Sequence, residues 1–372
     1  MQNTILKYKN FLLAVFSILA CASLFDTITK GIKNGMDFQW HPSKLFWEGI
    51  NHYKYFLEGG KMFMAQGGQY GHALQIILYP FTLFEWQTAK TLWVIFNVFL
   101  SFFIPFLICR SFKITAQKTF FIILIFITCY PSRMTINYGQ QSLFILFFLI
   151  LPFIYTNKYS CFLSGLSYVK YSTGYIIFFY YFIEKKLKYL ILAILPCFIG
   201  WFIYFKFTDS DPLINFIEPF QWILFHNYQK NADLYSLLNI YFLKTNNLLN
   251  KFFIVLAIFS LNLFFLFKIK KIENKLIKMS LIFILPLIFM PHSNYDYVLL
   301  LPLLILGVSN LNLKINKFNF YFVLYYFYVN RLIKHLINQD IYFDFFTFVF
   351  FISVLIININ YFRKNNSISN FV

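Results

Sequence analysis

The sequence predicts an all-α polytopic membrane protein of about ten to twelve helical spans, and three observations predict it. Apolar residues make up 59% of the chain and charged residues only 12%, about half the charge density of a soluble protein. The mean hydropathy of +0.63 says that water is not the main solvent. The apolar residues fall into about eleven runs, near 10–25, 88–109, 118–131, 142–157, 161–183, 188–207, 251–267, 276–291, 295–309, 318–334 and 342–362. About twenty residues per span leave almost nothing for a soluble domain, so 1–362 reads as one membrane domain and 363–372 as a short cytoplasmic tail.

Composition excludes several other classes. The 54 Phe and 27 Tyr are no functional signal by themselves, because Lys, Asn, Ile, Phe and Tyr are what an AT-rich coding sequence supplies. The net charge of +18 raises nucleic acid as a partner, but the basic residues lie in short runs between apolar segments and in no single arm, so topology accounts for them. Cys21, Cys109, Cys129, Cys161 and Cys197 lie in or beside apolar segments at unrelated spacings, which fits small packing residues. No His, Asp and Glu spacing argues for a metal.

Taken in order, the first run follows Lys7 and Lys9 as a signal peptide would, but Cys21-Ala22-Ser23 is a poor cleavage site, and an uncleaved helix starting in the cytoplasm is expected. Residues 26–87 then form a first extracytoplasmic loop. Residues 43–47 make an amphipathic helix lying on the membrane, and the apolar run 73–84 is too short to span and reads as interfacial. Arg110, Lys113, Lys118 and Lys158 fall inside under the rule that Lys and Arg gather on the cytoplasmic face.

The run 161–183 breaks the alternation, since a single span would put Lys185, Lys186 and Lys188 outside and invert every later loop. A re-entrant segment restores it, entering from the cytoplasm, turning near residues 170–174 and returning before Glu184. Non-helical backbone at that depth must be buried in protein or line a wet cavity, so a cavity is expected there. A plain helix with Lys170 snorkelling is the other reading. Residues 208–250 form a second long extracytoplasmic loop, and Lys268 to Lys278, Lys314, Lys317, Arg363 and Lys364 return to the inside. Both termini are thus cytoplasmic in a multi-pass plasma (inner) membrane protein.

Four polar clusters stand at span ends: Asp37 to His41 followed by Glu48 to Tyr53; Tyr79-Pro80; Asn137-Tyr138-Gly139-Gln140-Gln141; and Pro291-His292 through Asp296-Tyr297. Each has an ordinary explanation as a cap, a helix start or a turn. Those explanations do not predict that all four share one side of the membrane. A carboxylate, carboxamides, a His and Lys170 on one face supply what glycosyl transfer from a lipid phosphate requires. The carboxylate accepts the proton of the attacking hydroxyl, and Lys or His offsets the charge growing on the departing phosphate.

These pieces, in this order, resemble the polyprenyl-phosphate-mannose-dependent glycosyltransferases of family 87, which have the GT-C membrane fold. The family's Asp in the first outside loop with a Gly-x-x-x-Tyr looks like Asp37 with Gly49-Ile50-Asn51-His52-Tyr53. Its Tyr-Pro-Pro with a downstream Trp is similar to Tyr79-Pro80-Phe81 and Trp93, and its Gly-Gln-x-Asn to Gly139-Gln140-Gln141-Ser142. Its Gly-rich span ending in Lys-Pro resembles Leu163 to Tyr171, and its Ser-Pro-x-Ser-Trp-x-His-Tyr resembles Met290 to Tyr297. The second Pro, the motif Asn, the Pro after Lys170 and the Trp before the last Tyr are replaced here.

The resemblance implies a GT-C-like bundle with Asp37 at the catalytic-base position. Gln140, Lys170 and His292 are then expected around the donor, with His41, His52, Tyr53, Tyr79, Tyr138, Gln141 and Asp296 as further substrate-binding positions. It also implies a hexose, in the first instance mannose, taken from a polyprenyl-phosphate sugar and given to a lipid-linked or envelope glycan, with membrane lipids as partners and no separate cofactor. The competing readings are a carrier or flippase of lipid-linked sugars, for which charged mid-span residues and two related halves are expected but not seen, and a structural subunit of the envelope.

Overall fold

The computed structural model describes residues 2–64, 66–68, 70–225, 232–238, 248–337 and 341–365, all of them helical or looped with no strand among them. The end of the expected tail, 366–372, and residues 226–231 and 239–247 of the second long loop lie outside the described residues.

The chain opens with α1 (Gln2–Asn34), followed by a first loop built from four short helices: α2 (Trp40–Trp47), α3 (His52–Leu57), α4 (His72–Ile77) and α5 (Tyr79–Thr82). α2 is the expected amphipathic helix, with Trp40, Leu45 and Phe46 buried and Lys44 exposed, and α4 and α5 fall on the short apolar run 73–84, with His72, Ala73, Leu74 and Gln75 of α4 buried in the protein. Next come α6 (Trp86–Ser111), α7 (Ala116–Thr128) and α8 (Tyr130–Tyr138). The axis bends by 53° between α7 and α8, where Pro131 in the first turn of α8 cannot carry a helix on from α7.

α9 (Ser142–Ile154) leads into the segment whose path the sequence left open. It consists of α10 (Lys158–Ser164), a 3-10 turn (Gly165–Val169), α11 (Tyr171–Gly174) and α12 (Ile176–Ile183), with Lys170 extended at the break. The two limbs lie side by side: the Ser164 and Tyr181 hydroxyls are 3.3 Å apart, and Gly174 is pressed so close to the Ser167 carbonyl that a Cβ would stand 2.2 Å from it. The returning limb ends at Glu184, which pairs with Lys278 at 2.8 Å, while the apex bonds to the first loop through Gly71 N–H and Val169 C=O at 2.8 Å. The segment is a hairpin of half-helices with its apex at Lys170, and the unbroken helix is excluded.

α13 (Leu187–Phe207) runs beside the hairpin to the first loop, where Tyr204 meets His52. α14 (Pro212–Phe225) turns Asn215 and Glu218 inward and leaves Leu213, Ile214, Phe216 and Ile217 exposed. Asn51 Nδ2 donates to Glu218 Oε2 at 2.7 Å, so the two long loops are tied together. The rest is α15 (Leu234–Leu237), α16 (Leu248–Lys270), α17 (Lys275–Phe289), a 3-10 turn (Asn294–Leu300), α18 (Leu301–Ser309), α19 (Lys314–Leu324), a π turn (Tyr325–Val329), α20 (Asn330–Leu336) and α21 (Ile341–Lys364).

Among the described residues five helices are long and apolar enough to cross a membrane, and the bent α7–α8 pair makes a sixth. The other apolar runs differ from the expected full spans for a physical reason. α9, α17 and α18 are 13, 15 and 9 residues long and buried along nearly their whole length, so their hydrophobicity answers to packing inside the bundle and not to lipid.

Candidate active site

Asp37 sits in the extended link between α1 and α2, and its backbone is clamped by the turn that joins α8 to α9. Its N–H donates to Tyr138 C=O at 2.9 Å and its C=O accepts from Gln141 Nε2 at 3.1 Å. That turn needs Gly139 at φ +72°, a conformation disfavoured for residues with a Cβ, and Trp93 Nε1 locks it by donating to Gly139 C=O at 2.9 Å. Phe38 stacks on Trp93 with ring centroids 4.7 Å apart, so the carboxyl is fixed by a rigid aromatic backing.

Both carboxylate oxygens are held by carboxamides. Gln39 Nε2 donates to Oδ1 at 2.7 Å and Gln140 Nε2 to Oδ2 at 2.5 Å, while Gln140 Oε1 accepts from Tyr70 OH at 3.3 Å. Gln39 reaches back by adopting the left-handed conformation at φ 64°, a strained state for a residue with a Cβ. Burial of Asp37 raises its pKa from 3.8 to about 6, against the two carboxamide donors and the charge of Lys170, which act the other way. The group is therefore ionised at neutral pH yet basic enough to take a proton.

The second half of the site forms where α9 begins. Ser142 Oγ donates to Asp296 Oδ1 at 2.6 Å, Ser293 N–H donates to Oδ2 at 3.0 Å in a capping box, and Lys170 at the hairpin apex donates to Oδ1. Asp296 is 2% exposed, and the Lys170 ammonium also lies over the Tyr295 ring, 4.9 Å from its centroid. His292 packs its ring 5.3 Å from Tyr297 with Nδ1 turned to Met290 C=O at 3.2 Å. Burial lowers its pKa to about 4, more than the nearby Asp296 carboxylate raises it, so the imidazole is neutral at pH 7 and cationic charge here resides on Lys170.

Beside the apex lies a mainly apolar cavity of about 240 Å3, lined by Gly71, His72, Tyr168, Val169, Tyr171 and Trp201 among others. A family model for glycosyltransferase family 87 matches residues 70–293, more than half of the chain. The chain belongs to glycosyltransferase family 87. No curated protein and no solved structure matches it. The matched stretch of this membrane glycosyltransferase holds Gln140, Gln141, Lys170 and His292. Asp37 precedes it and Asp296 follows it, and hydrogen bonds from Gln140 and Lys170 join both to it.

The transferase brings Asp37, Gln140, Gln141, Lys170, His292 and Asp296 together, and Tyr138 contributes its carbonyl while its side chain is exposed. Four expected positions lie apart. The His41 ring packs among Tyr55, Phe56 and Phe63, and Tyr79 rests on Trp47 with centroids 4.3 Å apart. His52 bonds Tyr204 OH at 2.7 Å, and Tyr53 OH donates to Tyr70 C=O at 2.5 Å, so these two support the loop that carries Tyr70. Gln39, Ser142, Tyr70 and Tyr295 are site neighbours not named among the expected site residues. Ser142 and Tyr295 lie inside motif stretches, Gln39 is a carboxamide two residues from the one candidate base, and Tyr70 left no sequence signal.

Proposed function

We propose that the transferase moves a hexose, in the first instance mannose, from a polyprenyl-phosphate donor to a lipid-linked or envelope glycan on the outer face of the plasma membrane, in a GT-C-type bundle with both termini cytoplasmic. The observation that carries this reading is a buried carboxyl with two carboxamide donors, facing the field of a lysine held on a second buried carboxylate.

On this reading the acceptor hydroxyl approaches Asp37, and its oxygen attacks the anomeric carbon as the carboxylate takes its proton. The bond from that carbon to the phosphate oxygen breaks, and the electron pair leaves on the phosphate. Lys170 stabilises the growing negative charge, while neutral His292 serves as a hydrogen-bonding neighbour. A single displacement with one base inverts the anomeric centre. The apolar cavity beside Lys170 suits the first isoprene units of the donor, so the hairpin apex would stand between lipid and chemistry.

The test is transfer itself. Purified protein with radiolabelled polyprenyl-phosphate mannose and a membrane lipid extract is expected to give a labelled glycolipid, and a panel of other polyprenyl-phosphate sugars ranks the donors. No product from any lipid-phosphate sugar would overturn the reading. Movement of the donor across the bilayer without product would favour a carrier.

A further inference from the structure

One flank of the molecule carries charged groups that the proposed reaction does not use, and none of its elements lines the apolar cavity. Arg331 on α20 is exposed and lies over the Tyr130 ring of α8, 4.3 Å from its centroid, with Nη1 3.7 Å from Met134 Sδ. One turn along α8, Arg133 donates through Nη2 to Asp26 Oδ2 at 3.0 Å and through Nε to Thr27 Oγ1 at 3.1 Å. Lys30 shares the same Asp26 oxygen at 2.8 Å. No described carboxylate lies within 4.0 Å of Arg331, while Arg133 and Lys30 share the single carboxylate of Asp26, so the described charges of this flank are in positive excess.

Its surroundings are apolar. Phe25 is 74% exposed and Leu332 60%, so large apolar side chains lie open beside these charges, as on a surface that meets the membrane boundary. Surplus cationic charge on such a surface calls for an anionic partner from the membrane. A guanidinium stacked on an aromatic face presents its N–H groups at the edge, and with Nη1 of Arg331 turned to Met134 Sδ, Nε and Nη2 are the pair left to meet phosphate oxygens.

The flank also leads to the site. The Tyr130 hydroxyl lies against the Asn294 side chain, which opens the turn carrying Asp296. At the other end of α8 the Tyr138 carbonyl holds the Asp37 N–H. The helical rise puts these ends about 12 Å apart, the reach of a short oligosaccharide.

We propose that Arg331 and Arg133 form a docking site for the phosphate headgroup of an anionic lipid, and that this lipid bears the acceptor glycan, which α8 leads toward Asp37. The second clause rests on the transferase reading; the lipid site does not.

Native mass spectrometry of the full chain in detergent, titrated with phosphatidylglycerol, phosphatidylcholine or inorganic phosphate, tests the site without any transfer. One phosphatidylglycerol is expected to bind well below the concentration at which phosphatidylcholine does, and Arg331→Ala, on an exposed side chain, is expected to weaken it about tenfold. Arg331→Lys should fall between, because charge remains and the fork is lost. Equal binding of the two lipids, or full phosphatidylglycerol binding by Arg331→Ala with an unchanged melting temperature, would overturn the site. Displacement by millimolar inorganic phosphate alone would replace the lipid with a soluble anion and overturn the lipid assignment. In the transfer assay, Arg331→Ala should raise the acceptor KM and leave the donor KM unchanged; an unchanged acceptor KM beside lost lipid binding would overturn the acceptor clause only.

Discussion

Asp37 carries opposing demands that its neighbours resolve. Its folded pKa of about 6 lies above its ordinary value of 3.8, so folding takes up a proton between those values, and the carboxyl's contribution to stability falls as pH rises through that window. At neutral pH the ionised group is held at a cost in folding. Asp37→Asn removes that cost, and Gln39 can turn its amide to meet the new NH2 because its Oε1 is buried without a partner. The variant is therefore expected to melt no lower than the wild type at pH 7. The wild-type rate is expected to rise with pH up to about 6 and then level off, a limb absent from any residual Asp37→Asn activity. Lys170→Met leaves Asp296 buried beside only two neutral donors and should cost about 3–5 kcal/mol, read by chemical denaturation or melting, while Lys170→Met with Asp296→Asn should recover most stability and no transfer. These charged and carboxamide positions were legible in the sequence because a polar group is expensive in so apolar a chain. Ser142 was less so, since a serine at a helix start is equally a cap, and the polar atoms of His52 and Tyr53 serve a packed aromatic cluster apart from the carboxyl.

The hairpin is the element on which the site depends. The positive-inside pattern of Lys185, Lys186 and Lys188 favoured a broken, re-entrant path for residues 161–183 over a plain helix, and the limbs lie together as such a path requires. What the pattern did not disclose is the close approach at Gly174. Gly174→Ala would drive a Cβ to 2.2 Å from the Ser167 carbonyl, so it is expected to lower the melting temperature by several degrees, at about 1–3 kcal/mol, and to lose transfer by displacing Lys170. Sided labelling checks the path. In a cysteine-free background Leu187→Cys and Glu58→Cys, both exposed, should react with an impermeant maleimide from opposite faces of a sealed vesicle, and labelling from one face would contradict the hairpin.

Over the whole molecule, composition announced a membrane protein, and five to six full-length helices among the described residues agree with it. Composition could not announce that α9, α17 and α18 are short and buried, because a helix sealed in protein and a helix sealed in lipid carry the same apolar residues. Those central helices matter to function. They bring the starts of α9 and of the turn after α17 to one end of the bundle, where Ser142 and Asp296 meet Lys170 from the hairpin and Gln140 meets Asp37 from the first loop. Four separate stretches of chain thus converge on two carboxyls and one ammonium.

The direct measurement is the rate of sugar transfer by Asp37→Asn against the wild type, at pH 7, in protein of matched melting temperature and with donor and acceptor saturating. Loss of transfer by a factor of about 10²–10⁴ with the fold intact is the predicted result. Transfer at the wild-type rate would contradict the account, because no other carboxylate in it receives the acceptor's proton.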